Sequence, residues 1–220
     1  MAVLDLQEQE QLEGLKAWWK DHGNKVLAAT LLLVLVVGGW RAWTYYQNKQ
    51  ATEAATLFEQ FAQQLPSNDP KRINDAAQAV MDKYAGTIYA ARAALTAAQV
   101  NEQSKAMPQA KTQLQWVLDH ASEAAMKDVA HLRLAAILLD EKSYDDALKQ
   151  LNAAHPAAFE GLYADLKGDV LSAQGKDAEA RAAYQIAFDK TDVKSTYRQL
   201  IQMKLDDLGG ATTTAADGKK

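Results

Sequence analysis

The sequence predicts an all-α protein: one N-terminal transmembrane helix, then an α-solenoid of about four helical hairpins and a closing C-terminal helix. Three observations predict this class: one uncharged apolar run near the start, an alanine-rich remainder with helical periodicity, and a recurring spacing of small residues. Glycine and proline number only 11 and 4 among 220 residues. No stretch keeps the two-residue alternation of a strand for long, so we expect no sheet.

Composition and charge exclude several kinds of protein. The net charge is -4, from 24 basic and 28 acidic residues, and no basic cluster of the kind that binds nucleic acid is present. The chain has no cysteine, so it has neither a disulfide framework nor a thiolate metal site.

The apolar run is the first element. Val26 to Trp40 is an uncharged stretch of 15 residues, which covers about 22 Å as a helix and is shorter than the hydrocarbon core of a bilayer. The flanking Lys25 and Arg41 can extend toward the headgroups, and aromatic side chains suited to membrane interfaces stand on both sides. We therefore assign the transmembrane helix to residues 25–46, with these membrane-interface residues: Trp18, Trp19, Lys25, Trp40, Arg41, Trp43, Tyr45 and Tyr46.

Two other readings of the run are a cleaved signal peptide and a buried core helix. A signal peptide has a short basic leader and a cleavage site of small residues, whereas Gly38-Gly39 is followed here by the bulky Trp40. A core helix that is apolar on all sides needs a large fold around it, and the remainder of the chain is small.

The leader, residues 1–24, carries Leu12, Leu15 and Trp19 at helical spacing. This pattern predicts either an amphipathic helix on the membrane surface or a frayed tail. Three lysines precede the uncharged run and two basic residues follow it, which favours a cytoplasmic N-terminus.

Start and stop signals divide the rest into short helices. We predict helix starts at Asp69-Pro70, at Pro108 and after Ser143, where Asp146 could complete a capping box. Gly86 and Gly175 predict interruptions, and a last helix is expected near residues 192–208. The tail, residues 209–220, is small and polar and is predicted to be disordered.

A repeat organises residues 47–208. The stretch LYADLKGDVLSAQGKDAEARAAYQIAF has the spacing of a tetratricopeptide unit, and Ala147 and Ala180 lie 33 residues apart, close to its period of about 34. Small residues allow the two helices of a hairpin to cross closely, Gly175 makes the turn, and Tyr184 is expected to fill the space between hairpins. The repeat-packing residues are Gly168, Leu171, Gly175, Ala180, Tyr184 and Ala187, preceded by Ala135, Leu138, Ala147, Leu151 and Ala154. Looser matches lie around Ala110 and Ala77, and an ordinary helical bundle is the alternative.

Stacked hairpins expose a concave face formed by the first helix of each unit. The register places a mixture of apolar and acidic residues there, which suits an extended peptide or a partner helix. The predicted partner groove consists of Leu132, Ala136, Leu139 and Asp140 in the third unit and of Leu162, Asp165, Asp169 and Ser172 in the fourth.

Nothing in the sequence predicts catalysis, a cofactor or a metal site. The four histidines, His22, His120, His131 and His155, form no pair with the spacing of a helical metal site. The carboxylate pairs Asp145-Asp146 and Asp206-Asp207 are adjacent in sequence, so they point about 100° apart on a helix and form no dyad.

Four segments follow one another in a specific order: GLKAWWKDHGNK, GGWRAWTYY, ADLKGDVLSAQGKDAEARAAYQIAF and QMKLDDL. In this order they resemble the ancillary SecYEG translocon subunit family of Gram-negative bacteria, and the resemblance covers the chain from Leu12 to Leu208.

The resemblance implies a single-pass inner-membrane protein with a cytoplasmic N-terminus and a periplasmic helical repeat domain. It implies association with the SecYEG translocon and with a PpiD-like membrane-anchored periplasmic chaperone, to which unfolded client polypeptides are handed. An alternative function is an envelope-stress sensor whose leader binds a cytoplasmic signalling protein.

Overall fold

A computed structural model describes residues 6–209, and all regular elements in that range are helical. This confirms the all-α prediction. Residues 1–5 of the leader and residues 210–220 of the predicted disordered tail lie outside the described range. The helices are α1 (Leu6–Ala62), α2 (Pro70–Lys83), α3 (Ile88–Gln103), α4 (Met107–His120), α5 (Ala124–Asp140), α6 (Tyr144–Leu151), α7 (Glu160–Ala173), α8 (Asp177–Lys190) and α9 (Tyr197–Asp207).

The chain divides into two compact units, Met1–Thr52 and Glu53–Lys220. In the first unit the leader and the apolar run are successive parts of α1, with no break between them. The large apolar side chains from Leu27 to Val37 are 51% to 66% exposed. This exposure contradicts the alternative of a core helix, because none of the run is buried by the described residues.

The second unit consists of four hairpins and a closing helix. The last turns of α1, from Glu53 onward, pack with α2, and the following hairpins are α3/α4, α5/α6 and α7/α8, closed by α9. In each hairpin we refer to the first helix as helix A and to the second as helix B. The predicted boundary after residue 46 does not coincide with a helix end, since α1 runs on to Ala62 and supplies helix A of the first hairpin.

Alanine controls the distance between helices A and B. Each helix B carries a fully buried alanine. Ala110, Ala147 and Ala180 share one repeat position, four residues after the N-cap, whereas Ala77 lies one turn further along α2, where Ile73 takes that position. A methyl group is small enough for two helix backbones to approach closely, and alanine costs the least side-chain entropy in a helix.

Local signals position most helix ends. The Asp69 carboxylate accepts from the backbone N–H of Lys71 at 3.0 Å, which caps α2 at the predicted place. The predicted capping box at Ser143 does not form, because the Ser143 side chain makes no cap hydrogen bond. The last helix begins at Tyr197 rather than near Asp192, because the Asp192 carboxylate accepts from the backbone N–H of Lys194 at 2.7 Å and holds a turn instead.

The turns inside the last three hairpins share one geometry. Lys105, Lys142 and Gly175 have φ of 61°, 60° and 73°, each just after helix A. The next residue donates its N–H to a carbonyl five residues back in every case, at 2.8 to 3.0 Å, which is the Schellman arrangement. The turn is therefore fixed by backbone hydrogen bonds, although two of the three positions carry lysine instead of the favoured glycine.

These turns yield a prediction about stability. Replacing Lys142 by glycine should raise the free energy of unfolding by about 0.5–1 kcal/mol, because the strain of a left-handed lysine exceeds the added entropy of glycine in the unfolded chain. Denaturation of the detergent-solubilised protein, followed by circular dichroism, measures the change. Lys176→Gly is the control, since Lys176 has a φ of -92° and should gain nothing. An equal gain for both variants would contradict the explanation.

Candidate functional site

The membrane-interface residues form two exposed groups on α1. The aromatic rings are exposed to between 49% for Trp18 and 73% for Tyr45. At the rise of an α-helix, the 24 steps from Trp19 to Trp43 cover about 36 Å, which exceeds the hydrocarbon core of about 30 Å and places both rings in the interfaces. Among the described residues, α1 is the one helix long and apolar enough to cross a membrane.

Most of the repeat-packing residues lie in the core of the second unit. Ala135, Ala147, Ala180 and Ala187 are fully buried, and Leu151 and Leu171 are nearly so. Ala154 departs from the prediction: it is exposed, because α6 ends at Leu151 and the chain continues as a loop toward Pro156.

Gly168 is required by Tyr184. A Cβ atom on Gly168 would lie 2.4 Å from the Tyr184 ring, so that the ring rests directly on the backbone of α7. The expectation that Tyr184 fills the space between neighbouring hairpins needs correction, since its ring packs within its own hairpin. On its other side it meets α9, where Ile201 and Leu205 belong to the same buried cluster.

The predicted groove residues divide into two groups. In the third hairpin Leu132, Ala136 and Leu139 are half-buried and Asp140 is exposed. Leu132 and Leu139 pack against the core of that hairpin, so only part of each surface is available to a partner.

In the fourth hairpin the groove prediction is partly wrong. Leu162 is 42% exposed and Ser172 is half-buried, but Asp165 is only 3% exposed. The cause is α9, which buries Ile201 and Leu205 against α7 and α8 and thereby lies over the acidic residues.

An ionic cluster joins α9 to these acidic residues. Lys204 Nζ lies 2.8 Å from Asp165 Oδ2 and 2.7 Å from Asp169 Oδ1. The hydroxyl of Tyr197 donates to Asp165 Oδ2 at 2.5 Å, and the hydroxyl of Tyr184 donates to Asp169 Oδ1 at 2.7 Å. One ammonium group and two phenol hydroxyls thus donate hydrogen bonds to the two carboxylates.

The cluster shifts the pKa values of its members. Burial alone lowers the pKa of Lys204, but the hydrogen bonds and charges of Asp165 and Asp169 together outweigh burial, so the pKa is raised. Burial raises the pKa of both Tyr184 and Tyr197, and the neighbouring carboxylates raise it further. At neutral pH the lysine is therefore charged and both phenols are neutral donors.

The sequence analysis missed Tyr197 and Lys204. The signal was present: Tyr197, Ile201, Lys204 and Leu205 share one face of the last helix, and a lysine on an otherwise apolar face indicates a buried partner. Asp165 and Asp169, predicted as groove residues, face the ammonium group of Lys204 instead.

A second buried polar group joins the first two hairpins. Asn74 of α2, Asn101 of α3 and Gln113 of α4 form a closed ring of amide hydrogen bonds of 2.7 to 2.9 Å. Asn101 is only 1% exposed. It occupies the repeat position that Leu138 and Leu171 take in later hairpins, so a polar residue at an apolar position was the missed signal.

Similar polar contacts join the later hairpins. Arg133 of α5 donates to the backbone carbonyl of Leu95 in α3 at 3.0 Å. The hydroxyl of Tyr163 in α7 donates to Asp128 Oδ1 in α5 at 3.1 Å, and the ring of His155 stacks on Tyr163 with centroids 3.9 Å apart. Hydrogen-bonded side chains therefore connect each hairpin to the next.

Within the part of the chain that the structure describes, no group of three or more histidine or carboxylate side chains is placed to hold a metal ion. The Nδ1 atom of each of the four histidines lies within hydrogen-bonding distance of another group. His131 Nδ1, for example, lies 2.8 Å from Gln150 Oε1. The side chains described above offer apolar, ionic and hydrogen-bonding contacts.

Comparison with known proteins gives one family match. Residues 16–210 match the family described as tetratricopeptide repeat-like domain. No solved structure matches the chain.

Several curated relatives carry the name ancillary SecYEG translocon subunit. The chain is 35% identical to the one from Neisseria gonorrhoeae over 207 residues, 92% of this chain and 98% of the relative. It is 29% identical to the one from Escherichia coli (91% and 96%) and 25% identical to the one from Haemophilus influenzae (92% and 98%).

The contact between Gly168 and Tyr184 gives a second prediction. Gly168→Ala should destabilise the second unit by about 1–3 kcal/mol, because the added methyl displaces the Tyr184 ring, even though alanine favours a helix more than glycine does. Denaturation of the full chain measures the loss. The control is Gly86→Ala, where a Cβ atom meets nothing within 4 Å and stability should stay within about 0.5 kcal/mol. If Gly168→Ala proved as stable as the control, the tight contact would be refuted.

Proposed function

This chain belongs to the ancillary SecYEG translocon subunit family and has a tetratricopeptide repeat-like domain over most of its length, and we propose that it is a non-catalytic, membrane-anchored scaffold that associates with the SecYEG translocon. The observation that carries the proposal is the exposed apolar part of α1, followed in the same chain by a stack of helical hairpins. A membrane anchor raises the effective concentration of the stack near a membrane partner, so that weak contacts are sufficient.

The proposed location is the inner membrane, crossed once, with residues 1–24 in the cytoplasm and the hairpin domain in the periplasm. The excess of lysine before the span supports this orientation, since basic residues remain on the cytoplasmic side. The absence of cysteine suits an oxidising compartment.

The proposed task of the hairpin stack is to hold a PpiD-like periplasmic chaperone or an unfolded client polypeptide near the translocon. Leu162 is 42% exposed, and Leu132 and Leu139 are half-buried, on the helices A that form the concave face in this kind of stack. Apolar side chains among polar neighbours suit an extended or helical segment of a partner.

Co-purification tests this proposal. After mild crosslinking, the full-length protein should be recovered from membranes with the translocon and with a periplasmic chaperone. Leu162→Glu should reduce recovery of the chaperone about fivefold or more, because a charge replaces an apolar contact. The matched control is Val193→Glu, at an apolar residue that is 80% exposed and outside the groove, and it should change nothing. A folded, membrane-bound protein recovered with neither partner would overturn the proposal.

Deleting residues 2–15 separates the scaffold from the sensor alternative. A scaffold should keep its translocon and chaperone contacts without the leader, whereas a sensor should lose its output. Protease protection on spheroplasts checks the orientation that both need. External protease should remove the region after Tyr46 and leave the leader intact, and a protected hairpin domain would exclude a periplasmic function.

A further inference from the structure

The ionic cluster under α9 has the composition of a binding site for a primary ammonium group. Asp165 and Asp169 are four residues apart on α7, so their carboxylates share one face of the helix. Lys204 Nζ lies within 2.9 Å of three of the four carboxylate oxygens. An ammonium group has three N–H donors, so this arrangement can use all of them.

The site has one acceptor more than its present donors use. Asp165 is only 3% exposed, and its Oδ1 atom is buried and has no hydrogen-bond partner. The two carboxylates and one lysine also leave a net charge of -1 in a partly buried place. A buried, unsatisfied carboxylate oxygen is costly. The site therefore favours a ligand that brings positive charge or a further donor.

The present occupant, α9, is a short helix at the end of the stack. It has 11 residues, of which Ile201 and Leu205 are buried. Leu200 and Met203 are 46% and 63% exposed. The N-cap residue Thr196 makes no side-chain cap bond, although Ser195 Oγ accepts from the N–H of Tyr197 at 3.2 Å. Isolated helices of this length are marginal in water, so α9 depends on its contacts with α7 and α8, and terminal elements are among the first to open.

We propose that Asp165 and Asp169 form an ammonium-binding site that Lys204 fills in the free chain and that a lysine side chain of a docking partner segment fills when α9 is displaced. This inference rests on the proposed function, because it assigns a chemistry to the groove of the fourth hairpin. It explains why acidic groove positions are covered: α9 is a self-ligand that keeps the site occupied until a partner competes for it.

The chemistry selects lysine over a bulky cation. Lys204 Nζ also lies 5.3 Å from the centre of the Tyr184 ring, whose hydroxyl bonds to Asp169; Tyr184 belongs to α8 and stays in place when α9, with Tyr197, is displaced. A compact ammonium group fits among these groups, whereas a quaternary ammonium ion has no N–H to donate to the oxygens.

The first experiment is chemical rescue in the full-length protein in lipid nanodiscs, followed by hydrogen exchange. Lys204→Ala should speed exchange of α9 by about tenfold, since it removes a buried charged partner. Propylammonium chloride should restore the slow exchange, and tetramethylammonium chloride at equal ionic strength should not. Asp165→Asn/Asp169→Asn in the same background should abolish the rescue. Lys190→Ala is the control, because it removes the more exposed ion pair with Glu160 and should leave α9 unchanged.

Equal effects of propylammonium and tetramethylammonium would show that no ammonium site exists and would overturn the inference. Exchange in α2 to α4 reports whether Lys204→Ala remains folded. If it does not, the same titration on Lys204→Gln, which retains most of the side chain, decides the question.

The second experiment asks whether a partner uses the site, with purified SecYEG translocon in the same nanodiscs. If a partner lysine replaces Lys204, Lys204→Ala should bind the translocon more tightly than the wild type, and Asp165→Asn/Asp169→Asn should bind more weakly. Wild-type binding that neither variant changes would refute the exchange. No binding by any form would count against the proposed function and against exchange with this partner, while the rescue experiment would still decide whether the ammonium site exists.

Discussion

Close contact between the two helices of each hairpin is the constraint on which the rest of the second unit depends. A fully buried alanine on every helix B brings the backbones together, and in the last hairpin Gly168 allows the Tyr184 ring to lie on the opposite helix. Alanine and glycine bury little apolar area, so each hairpin must obtain much of its stability from its neighbours. A single hairpin is therefore not stable by itself, and the outer ends of the stack have to be covered or paired.

Contacts between small residues set the distance between two helices but specify their register poorly, because any alanine along a helix can make such a contact. The buried polar contacts supply the missing specificity. The amide ring of Asn74, Asn101 and Gln113 and the bond from Tyr163 to Asp128 each join one hairpin to the next. A shifted register would separate these partners and leave buried polar groups without hydrogen bonds. The free-energy cost of that loss is larger than the net stabilisation that the native hydrogen bonds provide. At the end of the stack, the ion pair between Lys204 and Asp165 specifies the register of α9 in the same way.

The sequence was sufficient for the helices, the apolar run and the repeat, because each of these is a periodic or local signal. It was insufficient where a side chain finds its partner at long range. Asp165 and Lys204 are 39 residues apart, and Asn74 and Gln113 are also 39 apart, so no local pattern announces either contact. The failure at Ala154 has another cause: the repeat register was extended past Leu151, where helix B ends early.

The short α6 has a consequence for how the molecule comes apart. Helix α6 has eight residues, whereas α4 and α8 have 14 each. The buried cluster at the junction of the third and fourth hairpins is accordingly the smallest of the buried clusters. In a linear array with nearest-neighbour coupling, the weakest junction divides the whole into separately melting blocks. Heating should therefore produce two calorimetric transitions, with the break between α6 and α7, and a mechanical pull on the chain should separate the molecule at the same junction.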